Sequence, residues 1–147
     1  MDYSPDEINR ILAGHDVSAQ KLVIDSIIKD AQAGDARANY MIAKWHSAGI
    51  YGFKKSKKEF DRHIQVAIKR LLPDAIYDYG VMLDTGQGKP DRAFGYYILA
   101  AVLGDADALD AVMKYFLYGH LVERDDFIVS SLQLRKDYLA SQEAASS

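Results

Sequence analysis

The sequence contains no cysteine and no long apolar run, and each absence excludes a class of protein. With zero Cys in 147 residues, neither a disulfide framework nor a cysteine-ligated zinc site can form, as is typical of a reducing compartment. No apolar run approaches the ~20 residues that span a bilayer, and the first residues, MDYSPDEINR, lack a basic region followed by an apolar core. We therefore expect a soluble protein that stays in the cytoplasm and does not bind a membrane.

An excess of positive charge is also missing, which argues against a nucleic-acid partner. The chain has 18 Lys and Arg against 21 Asp and Glu, so its net charge is −3. Its basic cluster consists of Lys54, Lys55, Lys57 and Lys58, with no aromatic residue interleaved among them. We expect this cluster to be a solvated loop.

Helical periodicity dominates the apolar residues, while the alternation typical of strands never persists. In the middle of the chain this pattern predicts a hairpin of two helices. The first helix carries Ala75, Tyr79, Gly80 and Leu83, and the second carries Ala93, Tyr96, Ala100 and Ala101. Small residues among aromatic ones allow the two helices to approach closely. Because so short a hairpin cannot bury that surface alone, the pattern predicts a stacked array.

The same spacing recurs on both sides of this hairpin. The offset is 37 residues from Ala38 to Ala75 and 33 residues from Ala75 to Ala108. Self-similarity at such a period is the signature of helical solenoids, in which each unit stacks on its neighbours. We therefore predict an all-α fold, a short α-solenoid of stacked helical hairpins with about eight helices.

The length and the repeats together predict the domain organisation. A chain of this length builds one core, so we expect a single domain over residues 1–147. Its parts are N-terminal capping helices over 1–33, repeat 1 over 34–71, repeat 2 over 72–104, repeat 3 with a C-terminal capping helix over 105–140, and a flexible tail over 141–147.

Start and stop signals refine the helix bounds. Ser4 is expected to cap the first helix, and either Asp16 or Ser18 the second. Residues 56–59 have the form of a capping box, and the last helix is expected from Arg124 to about Ala140. The second helix carries an apolar stripe of Leu22, Val23, Ile27, Ile28 and Ala31.

These residues resemble the Sel-one-like (Sel1-like) repeats of the tetratricopeptide superfamily. The family pattern runs A-x-x-x-L-G-x-x-Y-x-x-G-x-G-V and then D-x-x-K-A-x-x-W-x-x-K-A-A-x-x-G. Its first half is matched in type by Ala75, Tyr79-Gly80, Leu83, Gly86 and Gly88, and its second half by Arg92-Ala93, Tyr96, Leu99-Ala100-Ala101 and Gly104. The resemblance covers roughly Asp25 to Leu139. It implies an α-solenoid adaptor without catalysis.

No enzyme, cofactor or metal site is expected. The segment Gly86-Gln87-Gly88-Lys89 is not a phosphate-binding loop, because Leu83 replaces the required first Gly and Pro90 the required Ser or Thr. The histidines lie far apart in the sequence, and no two of them have the i, i+4 spacing of a helical zinc pair. They are His15, His46, His63 and His120.

The resemblance also implies a binding surface, because the first helix of each repeat lines the concave side of such arrays. Positions outside the packing stripe are expected to face that side. They are Arg37, Tyr40, Lys44, Asp74, Tyr77, Val81, Asp84, Asp107, Asp110, Lys114 and Tyr118. The Asp and Tyr residues among them would complement a basic protein surface and provide stiff anchors. Alternatively, the Asp residues simply keep an exposed face soluble.

Two classes of function therefore stay open. The first is a cytoplasmic immunity or inhibitor protein that binds and neutralises a dedicated basic toxin or nuclease domain. It is favoured because no enzymatic or membrane domain accompanies the array. The second is a general adaptor or scaffold in a larger complex, and an enzyme ranks third. The sequence does not define the oligomeric state.

Overall fold

The computed structural model describes residues 2–146, and this part of the chain contains eight α-helices and no strand. The helices are α1 (Pro5–Ala13), α2 (Val17–Gln32), α3 (Ala36–Ala48), α4 (Lys57–Lys69), α5 (Pro73–Val81), α6 (Pro90–Val102), α7 (Ala106–Tyr118) and α8 (Asp126–Ser146). A π-helical turn, Met82–Gly86, continues α5. The prediction of an all-α fold is confirmed. Among the described residues, every helix is too short or too polar to cross a bilayer.

The expected capping residues begin the first two helices. The Ser4 hydroxyl accepts a hydrogen bond from the Glu7 backbone N–H at 3.2 Å, and the Ser4 N–H donates to the Glu7 carboxylate at 2.8 Å. These two bonds close a capping box at α1. At α2 the cap is Asp16 rather than Ser18, because the Asp16 carboxylate accepts from the Ala19 N–H at 3.0 Å.

The capping box predicted at α4 forms only in part. The Ser56 hydroxyl accepts from the Glu59 N–H at 3.2 Å, as expected. A complete capping box also needs a bond from the Ser56 N–H to the Glu59 carboxylate. Here the Ser56 N–H donates instead to the His46 carbonyl at 3.1 Å. The Glu59 carboxylate instead accepts from Arg62. This carboxylate is therefore directed along α4 and not back to the helix start.

Two further expectations differ from the structure. Leu22 is 63% exposed, because adjacent helical residues point about 100° apart and Val23 takes the core position. The last helix begins at Asp126 and continues to Ser146, since no Gly or Pro interrupts it. Residues 141–146 are thus helical where the sequence predicted a frayed tail, and Ser147 lies outside the described residues.

The chain divides into two compact units between Leu72 and Pro73, within one residue of the expected boundary between repeats 1 and 2. Unit 1 contains α1–α4, with α2 packed on α3 and α3 on α4. Unit 2 contains α5–α8, with each helix packed on the next. The stacked hairpins agree with the predicted fold class, while the single domain and its division into repeats stay predictions.

Each unit has its own apolar core. The core of unit 1 contains Ile8, Val23, Ile27, Ala31, Ala38, Ile42 and Trp45. The core of unit 2 contains Leu83, Ala93, Tyr97, Val112 and Tyr115. The last helix of unit 2, α8, contributes no buried residue to this core. Two of its apolar side chains are largely exposed, by 81% at Phe127 and 73% at Leu134.

Gly80 is the point of closest approach between α5 and α6. A Cβ atom at Gly80 would lie 2.9 Å from Cε1 and 3.0 Å from Cδ1 of Tyr97. Carbon atoms in contact normally lie about 3.5–4.0 Å apart. The Tyr97 side chain is 4% exposed, so it has little room to move away. The close contact predicted at Gly80 is confirmed.

We predict that Gly80→Leu lowers the free energy of unfolding by roughly 1–3 kcal/mol, because the new side chain overpacks the contact with Tyr97. Urea denaturation measures the change. The matched control is Gly95→Ala on α6, where a Cβ meets no atom within 4 Å. This control should be neutral or stabilising by up to about 1 kcal/mol. Equal midpoints for Gly80→Leu and the unsubstituted chain would contradict the close contact.

Candidate functional site

A groove of about 640 Å³ lies on unit 2, lined by α5, the π-helical turn, α6, α7 and the residue His120. We call it the α5–α7 groove. Seven of the residues predicted to bind a partner line it: Tyr77, Val81, Asp84, Asp107, Asp110, Lys114 and Tyr118. They converge because their spacing places them on one face of each helix.

The other four predicted residues are not among those lining the groove. Asp74, at the start of α5, lines a second depression of about 570 Å³ together with Asp107 and the end of α8. Arg37, Tyr40 and Lys44 lie on α3 in unit 1.

Tyr40 does not have the exposure that the sequence analysis expected of it. Its side chain is 6% exposed, and the Lys44 ammonium lies 4.4 Å from the centroid of its ring. The expectation that Tyr40 faces a partner as an open anchor is therefore wrong. The helical pattern assigned Tyr40 to the polar face of α3, although the folded chain buries it.

Buried tyrosines form the floor of the groove, and the sequence analysis did not identify them as site residues. Tyr97 and Tyr115 are 4% and 6% exposed, and their ring centroids lie 6.2 Å apart. The Tyr97 hydroxyl donates to the Asp84 carboxylate at 3.4 Å. The expected packing residue on α6, Tyr96, packs against Tyr79 with ring centroids 4.9 Å apart, while Tyr97 is the more buried of the two neighbours. The sequence could have indicated that Tyr97 is buried, because Tyr97 lies four residues after Ala93, on the same helical face.

Carboxylates of the groove lining act on the tyrosines beside them. Burial raises the pKa of Tyr77, and the nearby carboxylates, first that of Asp107, raise this pKa further. Burial and then the Asp84 carboxylate also raise the pKa of Tyr97. After burial, carboxylates contribute to both pKa shifts, because a nearby negative charge disfavours the phenolate anion. A cation in the groove would therefore be stabilised.

The groove carboxylates differ in how far they are neutralised. Asp110 is held by two lysines, with 2.9 Å to the Lys136 ammonium and 3.3 Å to the Lys114 ammonium. The hydrogen bond from Lys136 lowers the pKa of Asp110, and Lys114 adds to this effect. Asp84 and Asp107 make no ion pair within residues 2–146. These two carboxylates therefore provide most of the negative charge toward solvent.

We predict that Lys136→Met raises the pKa of Asp110 toward its usual value, measured by NMR titration of the carboxyl carbon. A lowered carboxyl pKa stabilises the fold above the usual pKa, and this contribution disappears as the pH falls through the lowered pKa. Both partners are more than one-third exposed, so the loss of stability near pH 7 should stay below about 1 kcal/mol. The control Arg135→Met removes a neighbouring charge from α8 and should leave the pKa of Asp110 nearly unchanged.

One group of possible metal ligands lies in unit 1. Within the described residues, ligand atoms of His46, Glu59 and His63 all lie within 4.8 Å of one another. The sequence analysis expected no metal site because the histidines are far apart along the chain, but α3 and α4 pack together and remove that separation. The available signal was the i, i+4 spacing of Glu59 and His63, which places both on one face of α4.

Comparison with known proteins gives matches in structure only. No protein-family model matches the sequence, and no curated protein matches it either. The chain is similar to a Sel1 repeat protein from Oxalobacter formigenes, with 23% sequence identity and a TM-score of 0.72. This match covers 84% of the present chain and 94% of the other.

A second solved structure extends the same likeness. It is a protective antigen present in uropathogenic Escherichia coli strains and displays an SLR fold. Its identity to the present chain is 17% and the TM-score is 0.66, over 88% of this chain and 28% of the antigen. At these identities the likeness establishes the fold. The chain thus has the α-solenoid fold of Sel1 repeat proteins, which confirms at the level of the fold the resemblance read from the sequence.

Proposed function

We propose that the chain is a protein-interaction module and that the α5–α7 groove binds a basic segment of a partner protein. The observation that carries this proposal is the convergence of Asp84, Asp107 and the exposed ring of Tyr118 on one groove. Helical solenoids commonly bind other proteins on extended surfaces of this kind. No catalytic step is part of the proposal.

The chemistry of the groove favours Lys or Arg side chains in the bound segment. Carboxylates accept charge-assisted hydrogen bonds from ammonium and guanidinium groups. Tyr118 is 75% exposed and borders the groove, so its ring can pack on the partner at a small entropic cost. A negative groove with an aromatic rim therefore complements a positively charged protein surface.

The more specific form of the proposal concerns the partner's identity. A basic toxin or nuclease domain has the required charge, and a cytoplasmic inhibitor could neutralise it by covering its active surface. The alternative is an adaptor that holds a basic protein in a larger complex. The two differ in genetic context, because the gene of an immunity protein lies beside the gene of its toxin.

We predict that Tyr118→Ala weakens binding to the product of the adjacent gene by about 2 kcal/mol, roughly thirtyfold in Kd. Calorimetric titration measures the change. The exposed ring contributes little to folding, so the free energy of unfolding should change by less than about 0.5 kcal/mol. The control is Tyr138→Ala on α8, because Tyr138 is 53% exposed and does not line the groove. Equal losses for both variants would move the binding surface away from the groove.

We also predict that the association rate with this partner falls by about an order of magnitude between 0.05 and 0.5 M salt, because mobile ions screen the groove carboxylates. The double substitution Asp84→Asn with Asp107→Asn should slow association at low salt and reduce the salt dependence, as measured by stopped flow. The control Glu123→Gln with Asp137→Asn changes the net charge by the same amount outside the groove and should have a smaller effect.

The results of these binding experiments distinguish an immunity protein from an adaptor. Association that is equally fast at both salt concentrations would contradict a basic partner. If the adjacent gene product neither binds nor harms cells, the immunity hypothesis fails. Binding to a basic protein encoded elsewhere would then favour the adaptor.

A further inference from the structure

Three polar side chains meet where α3 packs on α4 in unit 1. The rings of His46 and His63 are stacked, with centroids 5.8 Å apart and an interplanar angle of 18°. Glu59 lies one turn before His63 on α4, and its Oε2 atom is 4.0 Å from His63 Nε2. The His63 side chain is 12% exposed and that of Glu59 is 32% exposed, so the cluster is partly shielded from water.

The hydrogen bonds around His63 define which ring nitrogen carries its proton. His63 Nδ1 lies 2.8 Å from the side-chain Oδ1 of Asn39. The Asn39 amide has a fixed orientation, because its Nδ2 donates to the carbonyls of Ala31 and Asp35 at 2.9 and 2.8 Å. An oxygen atom thus faces His63 Nδ1, which must donate. The lone pair of neutral His63 is consequently on Nε2, where the Arg62 Nη2 atom donates to it at 3.0 Å.

The same argument applies to His46. Its Nδ1 lies 2.9 Å from the backbone carbonyl oxygen of Lys54, which can only accept. The lone pair of neutral His46 is therefore also on Nε2. In metal sites, a ligating histidine almost always donates its other N–H to a carbonyl or carboxylate, which fixes the ring and its tautomer. Both histidines already have this outer-shell partner.

The guanidinium cation of Arg62 already bridges Glu59 and His63. The Arg62 Nη2 atom lies 2.7 Å from Glu59 Oε2 and 3.0 Å from His63 Nε2. Arg62 is 64% exposed, so its guanidinium can move into solvent when an ion replaces its bonds to Glu59 and His63. The guanidinium therefore stands in for a positive charge that a metal ion would supply.

We propose that His46, Glu59 and His63 bind a divalent cation of the Zn²⁺ class. Two imidazoles and one carboxylate suit Zn²⁺ and its neighbours in the first transition row, whereas Mg²⁺ and Ca²⁺ prefer oxygen ligands alone. Tetrahedral Zn²⁺ with bonds of about 2.1 Å places its ligand atoms roughly 3.4 Å apart. The three groups must close by up to about 1.4 Å from their present separation of up to 4.8 Å. A water molecule would complete the coordination, and the ion would fasten α3 to α4.

The test is calorimetric titration of the full chain with ZnCl₂ after treatment with EDTA. The unsubstituted chain should bind one Zn²⁺, and its melting temperature should rise when Zn²⁺ is added. His46→Gln and His63→Gln should each lower the affinity by more than the 10–100-fold typical of outer-shell changes. His15→Gln is the matched control, because His15 is exposed and outside the cluster, and it should bind Zn²⁺ like the unsubstituted chain.

A gain-of-affinity variant keeps the test decisive if a histidine substitution impairs folding. Arg62→Gln removes the competing guanidinium from an exposed position, so it should increase the affinity for Zn²⁺ several-fold without loss of helical circular dichroism. Co²⁺ should give the visible absorption of a tetrahedral site in the unsubstituted chain and in His15→Gln, but not in His63→Gln. The proposal is overturned if the unsubstituted chain binds no Zn²⁺. It is also overturned if Arg62→Gln, His46→Gln and His63→Gln all bind Zn²⁺ with the affinity of the unsubstituted chain.

Discussion

The structure depends on the close approach of helices through small side chains. Seven alanines have no exposed surface at all, and they recur along both helices of the hairpins: Ala38, Ala43, Ala67, Ala75, Ala93, Ala100 and Ala108. Gly80 belongs to the same set, since the Tyr97 ring occupies the space where its Cβ would lie. Large residues on one helix thus pack against small ones on the next, and each hairpin depends on this match.

This packing also determines where functional groups can lie. On α5 and α7 one face is committed to small and apolar residues, so carboxylates and exposed aromatic rings are confined to another face. Because consecutive helices of unit 2 pack together, the exposed faces meet at the α5–α7 groove. In unit 1 the same contact between α3 and α4 aligns His46 with His63. Both candidate sites are consequences of hairpin packing.

Periodicity predicted the helices well and the roles of individual side chains less well. The capping residues Ser4 and Asp16 mark the starts of α1 and α2, in agreement with the structure. Errors arose where two neighbouring residues both fitted the apolar pattern. Val23 rather than Leu22 takes the core position, and Tyr97 is buried where the sequence indicated only Tyr96, which is partly buried. Adjacent helical residues differ by about 100° in direction, which the spacing of a degenerate motif does not resolve.

The all-helical class, the repeated hairpins and the close contact at Gly80 could be predicted from the sequence, because these features depend on local spacing and on side-chain size. The folded chain was needed to show that Tyr40 is buried, that Lys136 neutralises Asp110, and that His46 meets Glu59 and His63. Each of these facts depends on groups brought together from different helices or on burial by the folded chain. Such contacts depend on the packing angle and rotation of whole helices, which short-range periodicity does not specify.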